Sequence, residues 1–285
     1  MRLNHATAAL SVGSVADLAN LDWDAGALSV TAQEVAVESA GLFDNVLIVG
    51  EDQALHVPNN SLTVGPSASS NVIRGLLSTG SAVNNGLTIL AEADGVDFDA
   101  DNDGIGFTNN SDLVVVDTTV AGNVTNNGRI EMLGNVTFLD DLALQPGGSV
   151  DFDLGGTAAG QFDALTILGD FTLDGLLSVT LDSGFSLTVG DSFDIIDTGG
   201  AVSGTFTGLA DGALVGSFGG VDLFIEQRRF ARHGAWRRRG SRQRRRCGWS
   251  RLLVDSADRS IADPRVGIGV RRWRWSRFAS GRGNS

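Results

Sequence analysis

Between about residue 60 and residue 226, apolar residues recur at every second position. Leu142/Leu144, Val150/Phe152/Leu154, Leu165/Ile167 and Phe171/Leu173 show the pattern. Leu177/Val179/Leu181, Phe185/Leu187/Val189 and Phe193/Ile195 continue it. A period of two places these side chains on one face of a strand and their polar neighbours on the other. Each run is short and stops at Gly, Asn or Asp, residues that tolerate the left-handed backbone of tight turns. No comparable stretch shows the i, i+3, i+4, i+7 spacing of a capped helix. The pattern predicts an all-β body.

Asn-Asn doublets at 59–60, 84–85, 109–110 and 126–127 start 25, 25 and 17 residues apart. Each leads into a strand-like run: NNSLTV, NNGLTIL, NNSDLVVV and NNGRIEML. A strand-plus-turn unit recurring at this interval is the mark of a solenoid, in which each coil buries its apolar edge only against its neighbours. Asn at equivalent corners can also stack as a hydrogen-bonded ladder. The expected fold is a right-handed parallel β-helix over residues 1–226, most regular over 40–226. A small β-sandwich-like cap at 160–226 is the competing arrangement, because short strands at close spacing also suit a sandwich.

Length and charge narrow the class. The chain has 285 residues, a lone Cys247 and three scattered His, His5, His56 and His233. That leaves no disulfide framework and no clustered Cys or His metal site by spacing. No run reaches the ~18 apolar residues of a membrane-spanning helix. The opening MRLNHATAALSVGSV has no apolar core of a signal peptide and starts as if inside a repeat, as a truncated or misplaced start would. All 21 basic residues are Arg, and 18 of them fall in 227–285 against three acids, a net +15 that leaves −28 for residues 1–226. A body of that charge repels nucleic acid and anionic membranes, attracts divalent cations, and resists association through strand edges.

The segments GNVTNNGRIEMLGNVTFLDDLALQPGGSVDFDLGG and GQFDALTILGDFTLDGLLSVTLDSGFSLTVGDSFDIIDTGGAVSGTFTGL resemble the end of bacterial autotransporter-like β-helix repeat proteins. The resemblance covers roughly residues 40–226 and is most specific over 148–209. It implies a secreted or surface-attached β-helix and transfers no catalytic residue.

Candidate chemistry is sparse. In DGVDFDADNDGIGF (94–107), Asp99, Asp101 and Asp103 stand at i, i+2 and i+4 with Gly104 following, as in calcium loops. Asn110 stands where a full loop needs a bidentate Glu, and Gly106 where it needs an apolar residue; Asp94 and Asp97 are further oxygen sources. An acidic surface loop between coils accounts for the same residues. A polysaccharide-cleaving enzyme would need clustered carboxylates with a base or cation on one face. The body offers only Arg74 and Arg129 as interior cations. Asp140 and Asp141 are adjacent, so a strand would turn them to opposite sides. Asp151 and Asp153 alternate with Val150, Phe152 and Leu154, the pattern of a solvated strand face. His56 has no Ser or Cys partner at a recognised motif spacing, although a fold can assemble a triad from distant residues.

The tail, 227–285, carries Trp236, Trp249, Trp273 and Trp275 among its arginines. Read literally it is a nucleic-acid-binding or anionic-surface-binding arm. Arg, Trp, Gly and Ser are also what a GC-rich gene yields out of frame. A one-base shift across Gln243–Ser256, with permitted codons, gives NGDGVDGLDFLWTR, which resembles a type I dockerin-like calcium repeat. In that case none of Gln243–Ser256 carries a calcium role as written. Few periodic apolar runs occur here, so a disordered tail is expected. The sequence thus points to an extracellular or cell-surface structural protein, a spacer or adhesin with calcium as its one possible cofactor. Extracellular polysaccharide or cell-envelope components are its expected partners; the alternative is a carbohydrate-binding or polysaccharide-degrading β-helix.

Overall fold

The computed structural model describes residues 2–13, 21–31, 34–39, 43–68, 70–231 and 246–255. Every regular element among them is a strand, so the all-β expectation holds. In the larger sheet β1 (Arg2–Val12), β2 (Asp22–Val30), β5 (Gln53–Val64) and β7 (Leu76–Asn84) pair parallel in succession, with β3 (Val35–Val37) on the far half of β5. From residue 95 a turn divides each coil's long strand into two. The pairs are β9 (Gly95–Asp97) with β10 (Phe107–Asn109), and β12 (Thr119–Ala121) with β13 (Val124–Asn126). Then come β15 (Asn135–Phe138) with β16 (Leu142–Leu144), β18 (Ala164–Ile167) with β19 (Phe171–Leu173), and β21 (Ser192–Thr198) with β22 (Val202–Gly204).

The second sheet stacks one strand per coil, all parallel: β4 (Ile48–Val49), β6 (Asn71–Ile73), β8 (Leu87–Ala91), β11 (Asp112–Val116), β14 (Arg129–Leu133), β17 (Ser149–Leu154) and β20 (Leu176–Leu181). Each strand pairs with its equivalent one coil away, which is a solenoid-like stack.

The alternation read from the sequence is the packing. One column of paired residues runs Leu28, Leu55, Leu77, Val96, Val120, Phe138 and Ile167, each fully or almost fully buried. Another runs Leu62, Ala82, Phe107, Val124, Leu142 and Phe171. Each large apolar side chain so buried contributes about 1.5–3 kcal/mol. The parallel ladders pair the strands' N–H and C=O groups with the coils on either side.

The column beside the second one changes chemistry midway. It reads Val64, Asn84, Asn109, Asn126, Leu144, Leu173. The three Asn are fully buried. Asn84 Nδ2 donates to Asn109 Oδ1 at 2.8 Å, and Asn109 Nδ2 to Asn126 Oδ1 at 2.8 Å. A second, exposed ladder runs outside it: Asn127 Nδ2 donates to Asn110 Oδ1 (2.8 Å) and Asn110 Nδ2 to Asn85 Oδ1 (2.9 Å). These coils turn between sheets in two residues, and the inner Asn side chain satisfies carbonyls that so short a corner leaves facing inward. Asn109 Nδ2 also reaches the carbonyls of Ser111 and Arg129. Where Leu144 replaces Asn, the corner lengthens to Gln145-Pro146-Gly147-Gly148 and closes on its own bond from Gly148 N to Gln145 O.

The end of the stack departs from expectation. Residues 164–204 continue the parallel coils, so a sandwich does not begin at 160. Among the described residues, antiparallel ladders involve β23 (Leu214–Phe218), β24 (Val221–Ala231) and β25 (Arg246–Asp255), which cover the last coil through β25 on β21, besides isolated bridges at Leu154–Phe162 and Phe206–Leu209. β24 crosses the boundary expected at 226. Residues 246–255, expected to be disordered, form a strand whose Leu252 is fully buried with Leu223 and Ile225. Leu252 supplies an apolar position that the arginine-rich composition hid. The rest of the disorder expectation, over 232–245 and 256–285, lies outside the described residues, as do Trp236, Trp273 and Trp275. No helix among the described residues is long and apolar enough to cross a membrane.

Candidate functional site

Three outward-facing places bring polar residues together. The first is the loop between β9 and β10. Phe98 and Phe107, stacked at 4.4 Å in the core, pin its two ends. Between them Asn102 (φ 58) and Gly104 (φ 82) take left-handed conformations that fold the loop tightly. Asp99 Oδ1 accepts from Gly104 N and Asp103 Oδ1 from Ile105 N. Asp99, Asp101 and Asp103 each offer a carboxylate oxygen, all within 4.8 Å of one another. Oxygens at ~2.3–2.6 Å from one calcium ion lie at most about 5 Å apart, so that separation is compatible with a shared ion. The other expected participants are elsewhere. Asn110 is committed to the outer ladder, and Asp94 and Asp97 line a neighbouring groove.

That groove, of about 520 Å³, is the second place. It crosses successive coils on the outer face of the larger sheet. His56, Ser78 and Asp97 fall in one column, with Leu76, Asp94, Asp117, Thr119 and Leu139 around them. With parallel strands ~4.8 Å apart, the four steps from the His56 coil to the Leu139 coil span ~19 Å. Burial lowers the pKa of His56, which keeps its ring neutral near pH 7. The fold therefore puts a Ser beside His56 that no motif spacing announced. The order is wrong for a relay, however, because Ser78 stands between the imidazole and the carboxylate, whereas the imidazole must stand between the other two. Asp97 Oδ1 instead accepts from Asp99 N at 3.0 Å.

The third place is the outward face of β14, β17 and β20. Arg129 donates to Glu131 Oε2 at 2.9 Å and, through Nε, to Asp151. Asp153 has its pKa raised by burial and by the charges of Asp182, Glu131 and Asp151. Asp151 and Asp153 are thus half-buried members of a charge network rather than a purely solvated face. Beneath them Asp163, 6 % exposed, accepts from Asp153 N (2.6 Å) and Gly134 N (2.7 Å). Burial pushes its pKa up to about 6 against those two hydrogen bonds, with Asp153 and Asp182 adding to the rise. The cluster lies on an open sheet face and its one cation is already paired, which makes poor geometry for cleaving a glycosidic bond.

Asp140 and Asp141 do not sit within a strand. They occupy the turn between β15 and β16, where Asp140 Oδ2 accepts from Gly122 N at 2.8 Å. Asp141 belongs to a run of side-chain acceptors that the sequence reading missed: Asn123 Oδ1 takes Asp141 N, Asp141 Oδ1 takes Asp170 N, and Asp170 Oδ1 takes Ala201 N. Each caps the next coil at the same corner. Its signal is an Asn or Asp directly before an apolar strand start, as in Asn123-Val124, Asp141-Leu142 and Asp170-Phe171. These acids are structural.

Compared with known proteins, the chain matches no family model and no curated sequence.

Proposed function

We propose that the chain is a structural solenoid of the cell exterior, a spacer or adhesin-like segment whose acidic surface is stiffened by calcium at Asp99, Asp101 and Asp103. The observation that carries this reading is where the acids go. Among the described residues Asp163 is the one buried carboxylate, and Asp117, Asp141 and Asp170 serve the corners rather than a reaction. An unbroken stack with acids spread along its outer faces suits a soluble extended scaffold. The resemblance to autotransporter-like repeats supports a place outside the cell.

Three carboxylates fall short of the six to eight oxygens calcium takes, so water completes the shell and affinity falls in the ~10⁻⁴–10⁻³ M range of extracellular modules. Thermal unfolding in millimolar CaCl₂ tests this. We expect a saturable rise in Tm for the full chain and none for Asp101→Asn. A shift of equal size in the variant, or no shift in either, overturns the calcium site. For location, protease applied to intact producing cells should remove the protein; protection until lysis would refute the exterior placement.

A further inference from the structure

The groove has a hollow at its centre that packing does not demand. In the outward column Ala54, Leu76, Gly95, the third residue carries no side chain. Gly95 has no left-handed backbone, and a Cβ built on it would meet nothing nearer than Leu76 Cγ at 3.9 Å. Neither of the usual reasons for glycine applies. What the missing side chain does is open the groove between Leu76 and Thr119.

The chemistry around the hollow selects its occupant. Asp94, Asp97 and Asp117 line it with the hydroxyls of Ser78 and Thr119, and no Arg among the described residues does. Phosphates, nucleotides and uronate sugars would meet three like charges without a counter-cation. Among the described residues no Phe, Trp or Tyr lines the groove, so a sugar ring or base finds only the half-buried His56 imidazole to stack on. Leu76 and Leu139, 38 % and 41 % exposed, offer apolar surface instead. Three carboxylates on two adjacent coils, beside aliphatic walls, fit a chain of methylenes carrying several positive charges. A lysine stem behaves the same way when it lies along apolar surface with its ammonium turned to a carboxylate. The volume falls in the ~300–1,000 Å³ range of small-ligand sites. We propose that this groove binds a linear aliphatic polyamine, its methylenes over Gly95 and against Leu76 and Leu139 and its ammonium groups held by Asp94, Asp97 and Asp117. The site stands beyond the scaffold role, which survives if the groove proves empty.

The test is calorimetric titration of the full chain with spermidine at ~0.15 M salt, where diffuse attraction to a charged surface is largely screened. We expect a single saturable site. Gly95→Leu, which fills the hollow, should weaken it at least tenfold, and Asp97→Asn, which keeps the acceptor for Asp99 N, should weaken it severalfold. Asp174→Asn, an exposed acid away from the groove, should leave it unchanged. If Gly95→Leu lowers Tm, Asp97→Asn alone decides. Spermidine heats that are absent, or that fall equally in Asp97→Asn and Asp174→Asn, overturn the proposal in favour of general attraction to an acidic body.

Discussion

Asn109 is the middle rung of the buried ladder, and its replacement tests whether hydrogen bonding or volume holds the corner. Its Nδ2 donates to Asn126 Oδ1 (2.8 Å), Ser111 O (2.9 Å) and Arg129 O (3.0 Å), and its Oδ1 accepts from Asn84 Nδ2 (2.8 Å). Asn84 keeps its bond to Asp112 O when this rung is lost, whereas Asn126 Oδ1 loses its donor from the ladder. Each buried acceptor left without a donor costs about 1–3 kcal/mol. With one or two such orphans and a small void, Asn109→Ala should destabilise by about 4 kcal/mol. Asn109→Asp separates the two explanations because it keeps the volume and removes the donors. It would set a carboxylate oxygen against Asn126 Oδ1 in a fully buried site, so its cost should equal or exceed that of Ala. Asn109→Leu should fare little better, although Leu144 occupies the same column one coil beyond Asn126, because the two-residue corner still needs its donors. Urea unfolding gives the total, and hydrogen exchange at the 109–111 and 126–128 corners shows whether the loss is local, as expected of a nearest-neighbour stack. Asn109→Leu or Asn109→Asp within about 1 kcal/mol of the parent would refute the reasoning.

Asp163 should give the fold a pH-dependent penalty. Its pKa of about 6 in the fold exceeds the ordinary 3.8, so the folded state binds the proton more tightly. Stability from this group is full below pH ~4 and declines as pH rises through ~6, by up to about 3 kcal/mol. Asp163→Asn should abolish that slope in urea unfolding from pH 4 to 7, and an unchanged slope would assign it to other carboxylates. Asp170→Ala removes the acceptor for Ala201 N and should cost about 1 kcal/mol, read as faster amide exchange at 201 with little change at 126. Leu252→Ala should cost about 2–5 kcal/mol in thermal or urea unfolding, since that side chain is fully buried against the last coil; a neutral result would mean that β25 contributes nothing to the cap.

The sequence made the strands and the ladder legible through particular residues. Period two marked the core columns because a strand half-buried in a stack must alternate. The Asn doublets at 84, 109 and 126 marked two-residue corners. The doublet at 59–60 looked the same and is different: it falls inside β5 at an irregularity between Val57 and Ser61, and the ladder column holds Val64 in that coil. A doublet signals a corner only when its neighbours keep register, and register is a property of adjacent coils that one coil's sequence does not display. The groove was hidden for the same reason. His56, Ser78 and Asp97 lie 22 and 19 residues apart and meet only because those coils happen to be that long.

Coil length is also where this chain has room for chemistry. Asn109 pairs with Asn126 only 17 residues on, close to the minimum for a coil, whereas Asn84 pairs with Asn109 across 25. The surplus in the longer coil is the 98–106 loop with Asp99, Asp101 and Asp103. Leu144 pairs with Leu173, 29 residues away, and that surplus is the 155–163 loop that delivers Asp163 under the charged face. Lengthening a surface loop is cheap, about 0.6 kcal/mol for each doubling. Shortening or rewriting a corner orphans buried donors and acceptors at several times that cost. Change in such a stack is therefore cheapest in loops and at outward positions, and costlier at the Asn and Asp corners. That division explains why Asp163 and the buried amides are structural, and why the two proposed ligand sites, the acidic loop and the hollow at Gly95, lie where a coil is longer or a side chain is missing.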